Sequence, residues 1–346
     1  MNKIYNLLVL MTFFVVYTSC TKTELTNNGD DVSETPSDDS GNNSGEVADF
    51  RISMQVAESS KNSRASVDEN LPVNGGQLLV RWDEGDKVRM MVGSSAADVK
   101  ACDFSLVGGP SMGSGKFEYV GEKVQTNYYY GIYPLMEIDS NGEVQLNVPI
   151  DGTIYQAAAD DSHHLGKYRP MYAAPVQNEA GGNVLTGVVF KHLTSLIIFK
   201  VTNSTNETFN LKSVELSTAD GNTVFYSTAL FNPQNQTEAV VNGSPSASVS
   251  FGFDGNGMQV TSQEMKKAYL PVLPTGDFSS SLLRVKAVTD KGEFITNLPI
   301  EASQTLKRFK AGSYCIFNLK KTATGITVGM EIQGWEDGEI IDAPIF

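Results

Sequence analysis

The stretch Phe50-Arg51-Ile52-Ser53-Met54-Gln55-Val56 sets apolar side chains at every second position against polar ones between them. That period of two predicts a β-strand with one buried face. A polar segment, Glu58 to Ser63, leads into Arg64-Ala65-Ser66 and the break Asn74-Gly75-Gly76. The apolar run Leu78-Leu79-Val80 then ends in Trp82-Asp83-Glu84-Gly85-Asp86-Lys87-Val88. The order is a strand, an exposed basic loop, and a core that begins again.

The body of the chain continues the same pattern. Short alternating runs such as Glu143 to Pro149, Leu211 to Leu216, Leu282 to Val288 and Ile326 to Ile332 are rich in β-branched residues. Between them lie Asn141-Gly142, Asp151-Gly152, Asp220-Gly221, Asn242-Gly243, Asp254-Gly255 and Asp337-Gly338. Such pairs supply the positive φ that tight hairpins require. Only Ile154 to Leu165, with its three alanines, reads as a turn or two of helix. The expected fold class is all-β, a pair of sandwiches.

Upstream of the first strand the chain carries an address. Asn2-Lys3 is followed by an apolar stretch from Ile4 to Tyr17, too short for the roughly 20 residues of a spanning helix. Tyr17-Thr18-Ser19-Cys20 looks like a lipobox, with Tyr17 in place of the usual leucine, so residues 1–20 read as a lipoprotein signal peptide ending at an acylated Cys20. Residues 21–48 hold seven acidic groups, one lysine and no aromatic ring. Too little apolar surface is present there to offset chain entropy, which predicts a disordered acidic tether. The tether supplies much of the net charge of -14, and nothing basic remains to favour nucleic acid. About 300 residues follow, enough for two domains. A boundary is expected near residue 187, giving an N-terminal sandwich over 49–187 and a C-terminal one over 188–346. Cys102 and Cys315 are expected as buried free thiols.

Chemistry has little support in the sequence. His163-His164 cannot chelate jointly in a strand, and these and His192 read as surface or turn residues. Asp83, Glu84 and Asp86 lack the spacing of a calcium loop and read as a turn beside a buried Trp82. Neither a metal site nor a cofactor is expected, and no catalytic set can be assembled. Tyr128-Tyr129-Tyr130, Tyr133, Tyr168 and Tyr172 could stack on sugar rings, though core and rim positions account for them as well.

Several phrases in fixed order resemble the fimbrillin family, the type V pilin subunits of Bacteroidota. They are Arg64-Ala65-Ser66 with Trp82-Asp83-Glu84-Gly85-Asp86-Lys87-Val88, then Phe190-Lys191-His192-Leu193 and its apolar strand. Arg169-Pro170-Met171-Tyr172-Ala173, Ala268 to Pro274, Lys310-Ala311-Gly312-Ser313-Tyr314 and Gly334-Trp335 complete the set. The resemblance implies two tandem transthyretin-like β-sandwich domains of about seven strands each. It also implies a structural or adhesive fimbrial subunit, with no enzymatic activity, exported as a lipoprotein to the outer membrane. An arginine-specific surface protease would cut between Arg64 and Ala65, releasing the first strand with Phe50, Ile52, Met54 and Val56. A strand of a neighbouring subunit would replace it. The candidate donor is Ile326, Val328, Met330 and Ile332, whose alternation repeats that of the first strand; the distal Ile340, Ile341, Ile345 and Phe346 come next. Expected partners are other fimbrial subunits, membrane lipid through Cys20, the protease, and host or bacterial surface ligands. The alternative reading is a surface glycan-binding lipoprotein that keeps its first strand.

Overall fold

The computed structural model describes residues 50–56, 66–67, 80–109, 111–112, 114–236, 238–298, 306–334 and 340–342. All of them fall in one compact unit, Ala48–Phe346. Cys20, Arg64, Ala65, Trp335, Ile345 and Phe346 lie outside the described residues, as does the tether.

The chain begins with β1 (Phe50–Val56), the short β2 (Ser66–Val67) and β3 (Val80–Trp82). Then follow β4 (Lys87–Ser95), β5 (Asp98–Val107), β6 (Ser111–Met112), β7 (Gly115–Gly121) and β8 (Tyr128–Tyr133). Next come β9 (Val144–Asn147), β10 (Asp151–Gln156), the helical turn α1 (Leu165–Tyr168), β11 (Met171–Gln177), β12 (Val184–Val188) and β13 (Phe190–His192). The second half holds β14 (Ser195–Asn203), β15 (Phe209–Thr218), β16 (Thr228–Phe231), β17 (Val240–Val241), β18 (Ser248–Phe253) and β19 (Met258–Val260). It closes with β20 (Met265–Val272), β21 (Leu283–Thr289), β22 (Gly292–Asn297), β23 (Ser313–Lys321), β24 (Ile326–Gly334) and β25 (Ile340–Asp342). The fold is all-β, as the alternating pattern requires.

Two larger cores organise these strands. An eight-stranded sheet runs β12-β1-β7-β5-β4-β8-β11-β13. Its inner face buries Ile52, Met54, Val88, Met90, Val92, Phe104, Phe117, Tyr129 and Phe190 around Trp82. The other core lies between the sheets β10-β18-β15-β21-β22 and β20-β14-β23-β24-β25, where Phe199, Phe251 and Phe317 meet at 5.4 to 5.8 Å. Strands β9 and β10 precede residue 187 in sequence yet pair with β16 and β18, so Val144, Leu146 and Ile154 pack in the second core.

The alanine segment departs from the helical expectation. Residues Ile154–Gln156 belong to β10, and the helical turn is confined to Leu165–Tyr168. Tertiary pairing decides this: Gln156 Nε2 donates to Ala158 O and Lys267 O, and its Oε1 accepts from Tyr269 N at 3.0 Å. Asp160, at φ 62°, then locks the turn by accepting from Lys267 N. The run from Val188 to Val201 also resolves into parts of three strands, broken where Leu193 N reaches back to Pro170 O.

Candidate functional site

Strand β1 is interior to its sheet. It pairs antiparallel with β7, Phe50 opposite Gly121 through Val56 opposite Gly115, and parallel with β12, Ser53 opposite Val184 and Met54 opposite Leu185. Ile52 and Met54 retain no exposed surface and Phe50 is half-buried, whereas Arg51 is exposed. The side chain of Val56 is outside the described set. Both ladder edges of the strand and its apolar face are engaged at once. Its departure would therefore leave a slot lined by main-chain donors and acceptors and by two apolar sockets.

The walls of that slot are fixed by contacts that do not involve β1. Tyr129, buried in β8, donates its hydroxyl to Thr186 O at 2.6 Å and accepts from Thr186 N at 3.0 Å. One ring thereby holds β12 through its main chain. Thr126 Oγ1 donates to Gly182 O at 2.6 Å, and Asn127 Nδ2 donates to Asn178 O at 3.2 Å, clamping the loop that leads into β12. On the opposite wall, β7 is held by β5 through Ser105–Glu118 to Val107–Lys116.

Trp82 forms the floor. Its ring meets Phe117, Tyr133 and Phe190 edge-on at 4.9, 5.2 and 5.7 Å. Such edge-to-face pairs satisfy the ring quadrupoles while burying large area. Gly115 permits the approach: a Cβ there would sit 2.8 Å from the Phe117 ring and 2.9 Å from that of Trp82. The Asp83–Asp86 segment is the turn its sequence predicts. Asp83 N donates to Asp86 Oδ2 at 2.7 Å, and Gly85 takes φ +86°. Tyr133 donates to Asp86 Oδ1 at 2.9 Å, but burial outweighs that bond and pushes the Asp86 carboxyl up to about 6.

His192 corrects the reading of the histidines as surface or turn residues. His192 is buried in β13 against Arg169, whose Nη2 lies 3.2 Å from Nε2 of His192. Burial, with the charge of Arg169, holds the imidazole well below its usual range and so neutral, and burial lowers Arg169 to about 9. His164, half-buried at the start of the turn Leu165–Tyr168, has its Nε2 bonded to Tyr269 O at 2.8 Å, while His163 pairs with Asp161 at the surface. Among the described residues no cluster suited to a metal ion occurs. The tyrosines take core and rim positions: Tyr128 and Tyr130 share one face with rings 6.0 Å apart, and Tyr172 packs on Phe231. Cys102 and Cys315 are buried free thiols.

The candidate donor is built into its own sheet here. Strand β24 pairs with β23 from Ser313–Gly334 to Lys321–Ile326, and with β25 through Glu331–Asp342 to Gln333–Ile340. Met330 is buried, Ile326 and Val328 are half-buried, and the side chain of Ile332 is outside the described set.

A family model described as fimbrillin-like matches residues 63–335. The chain belongs to the fimbrillin-like family. Membership makes it a fimbrial subunit of the cell surface, with other fimbrial subunits as its partners. Among solved structures, a Bacteroides uniformis protein assigned to cell adhesion is 12% identical, with a TM-score of 0.55 and coverage of 84% of this chain and 99% of that one. A Bacteroides ovatus protein with the same assignment is 13% identical at a TM-score of 0.55, covering 83% and 98%. At these identities the likeness establishes the β-sandwich fold of fimbrillin-like proteins. No curated protein sequence matches the chain.

Proposed function

We propose that this fimbrillin-like chain is a subunit assembled by protease-triggered strand exchange, and that β1 is the strand exchanged. The observation that carries the reading is the interior position of β1 between β7 and β12, with those two strands anchored independently of it. Fully burying Ile52 and Met54 is worth roughly 1.5 to 3 kcal/mol each, about 3 to 6 kcal/mol in all. A subunit stripped of β1 is left with a costly exposed groove, and strand addition from a neighbour restores both the ladder and the sockets.

In this scheme the chain is exported with Cys20 acylated and inserted in the outer membrane. An arginine-specific protease then cuts between Arg64 and Ala65, where polar neighbours leave the chain extendable. Arg51 lies within β1 and Arg81 beside the buried Trp82, so neither is a comparable target. Cleavage discards lipid, tether and β1 together. The body is read as two sandwich domains meeting near residue 187, with β9 and β10 crossing to complete the second core. Host or bacterial surface ligands remain candidate partners of the assembled fimbria.

The donor comes from the C-terminal part of a neighbouring chain. Ile326, Val328, Met330 and Ile332 offer the right alternation, but releasing β24 costs the whole β23 ladder, whereas β25 shares only three pairings with β24. Two changes separate them in a polymerisation assay: deletion of Gly334 to Phe346, and Asp at both Val328 and Met330. If both variants still assemble, neither segment donates. Arg64→Ala tests the trigger: a full-length protein that no longer enters fibres is expected, and normal fibres would contradict the proposal.

A further inference from the structure

A cavity of about 310 Å³ opens where β11, β13 and β16 approach the turn before β23. Its size falls at the lower end of small-molecule sites, about 300 to 1,000 Å³. We infer that it binds a carboxylate-bearing sugar, one acidic pyranose unit, independently of strand exchange. Lys191, Arg308 and Lys310 all line it and are exposed; Asp277 lies near enough to Arg308 to feel its charge, and Arg308 still faces the hollow. Three cations thus surround one hollow on a chain of net charge -14. They favour an anion, and the guanidinium of Arg308 suits a carboxylate in particular because its fork can donate two parallel bonds.

Glu238, also on the rim, argues against a polyanion such as a nucleic acid and offers an acceptor for hydroxyl donors. The wall beside these groups is aromatic: Tyr172, half-buried, packs against Phe231 with centroids 4.8 Å apart. A flat amphipathic ring there suits a pyranose face. The hollow is bounded by several separate segments, so it accepts a compact ring rather than an extended peptide.

The rim is also preorganised. Phe309 is buried between Arg308 and Lys310, and its backbone exchanges bonds with Thr275, accepting from Thr275 N at 3.1 Å while Phe309 N donates to Thr275 Oγ1 at 3.0 Å. Gly312 N donates to Thr194 O at 3.0 Å, and Phe278 N to Lys307 O at 2.8 Å. Two non-glycine residues held at positive φ, Gln236 (54°) and Lys307 (55°), lie in or next to the lining. Left-handed conformations of this kind persist where surrounding contacts enforce them and concentrate at binding sites. A rim fixed in advance loses less freedom when a ligand arrives.

The test uses the full chain and titrates methyl β-D-glucuronide, methyl β-D-glucoside and an acidic pentapeptide, followed by calorimetry or NMR. The glucuronide should bind at least tenfold more tightly than either of the others. The double change Arg308→Gln and Lys310→Gln should weaken it at least tenfold while leaving the melting temperature unchanged, since both side chains are exposed. Equal binding of the glucoside or the peptide would overturn the inference. So would a double variant that binds like the parent, or an absence of glucuronide binding up to about 10 mM.

Discussion

Truncating Ile52 to Ala should remove a measurable part of what holds β1 in its sheet. Ile52 has no exposed surface, lies opposite Tyr119 on β7, and packs in the core that surrounds Trp82. The change deletes three carbons, worth about 2.4 kcal/mol at roughly 0.8 kcal/mol per methylene, and the residual cavity brings the cost to about 2 to 5 kcal/mol. Arg51→Ala, one residue away on the exposed face, should cost less than about 0.5 kcal/mol. The assay is urea unfolding of the uncleaved chain followed by the fluorescence of Trp82 in a Trp335→Phe background. Trp82 reports on the right region because Phe117, the cross-strand partner of Met54, meets its ring at 4.9 Å. With a slope on the order of 3 kcal/mol per molar urea, the midpoint should fall by roughly 1 M. If Ile52→Ala and Arg51→Ala unfold at the same urea concentration, the socket contributes nothing and the energetic basis for exchange is lost.

Tyr129→Phe keeps the ring but removes both bonds to Thr186, leaving a main-chain group to find another partner. It should cost about 1 to 3 kcal/mol and speed amide exchange in Val184–Val188, read by mass spectrometry. Gly115→Ala drives a methyl into Phe117 and Trp82, and should lower stability by about 1 to 3 kcal/mol with a changed Trp82 emission spectrum. Asp86 gives a pH signature. Its carboxyl rises from 3.8 to about 6 on folding, so the folded chain holds the proton more tightly than the unfolded one. That stabilisation is complete below pH 3.8 and lost as pH climbs through 6, about 1 to 3 kcal/mol after allowance for partial exposure. Asp86→Asn should therefore gain on the parent between pH 4 and 7, and a constant difference in urea midpoint would refute the assignment.

The all-β class was legible because one-sided strands impose a period of two on their side chains. In β1, Ile52 and Met54 are buried and Arg51 is exposed, as the alternation requires. Four of the turn pairs, at Gly142, Gly152, Gly221 and Gly255, adopt the positive φ expected of them. Trp82 was legible as a buried anchor beside an acidic turn, although its aromatic neighbours come from β7, β8 and β13, a convergence no local pattern records. Strand order was hidden for the same reason: nothing near Val144 or Ile154 announces partners about a hundred residues later. The Arg169–His192 pair escaped because burial of a polar group depends on what packs over it. Arg169 entered the sequence reading only as part of the phrase Arg169-Pro170-Met171-Tyr172-Ala173. The tyrosine at 129 read as core or rim, while its clamp on Thr186 depends on a contact across 57 positions in sequence.

The central claim is that β1 leaves the subunit on assembly. Fibres purified from the cell surface, solubilised and subjected to N-terminal sequencing of this chain decide it. The account predicts a first residue of Ala65, with no peptide from Phe50–Val56 in the fibre and an acylated, full-length form confined to unassembled protein. Assembled chains that begin at Cys20 and still contain Ile52 and Met54 would contradict it.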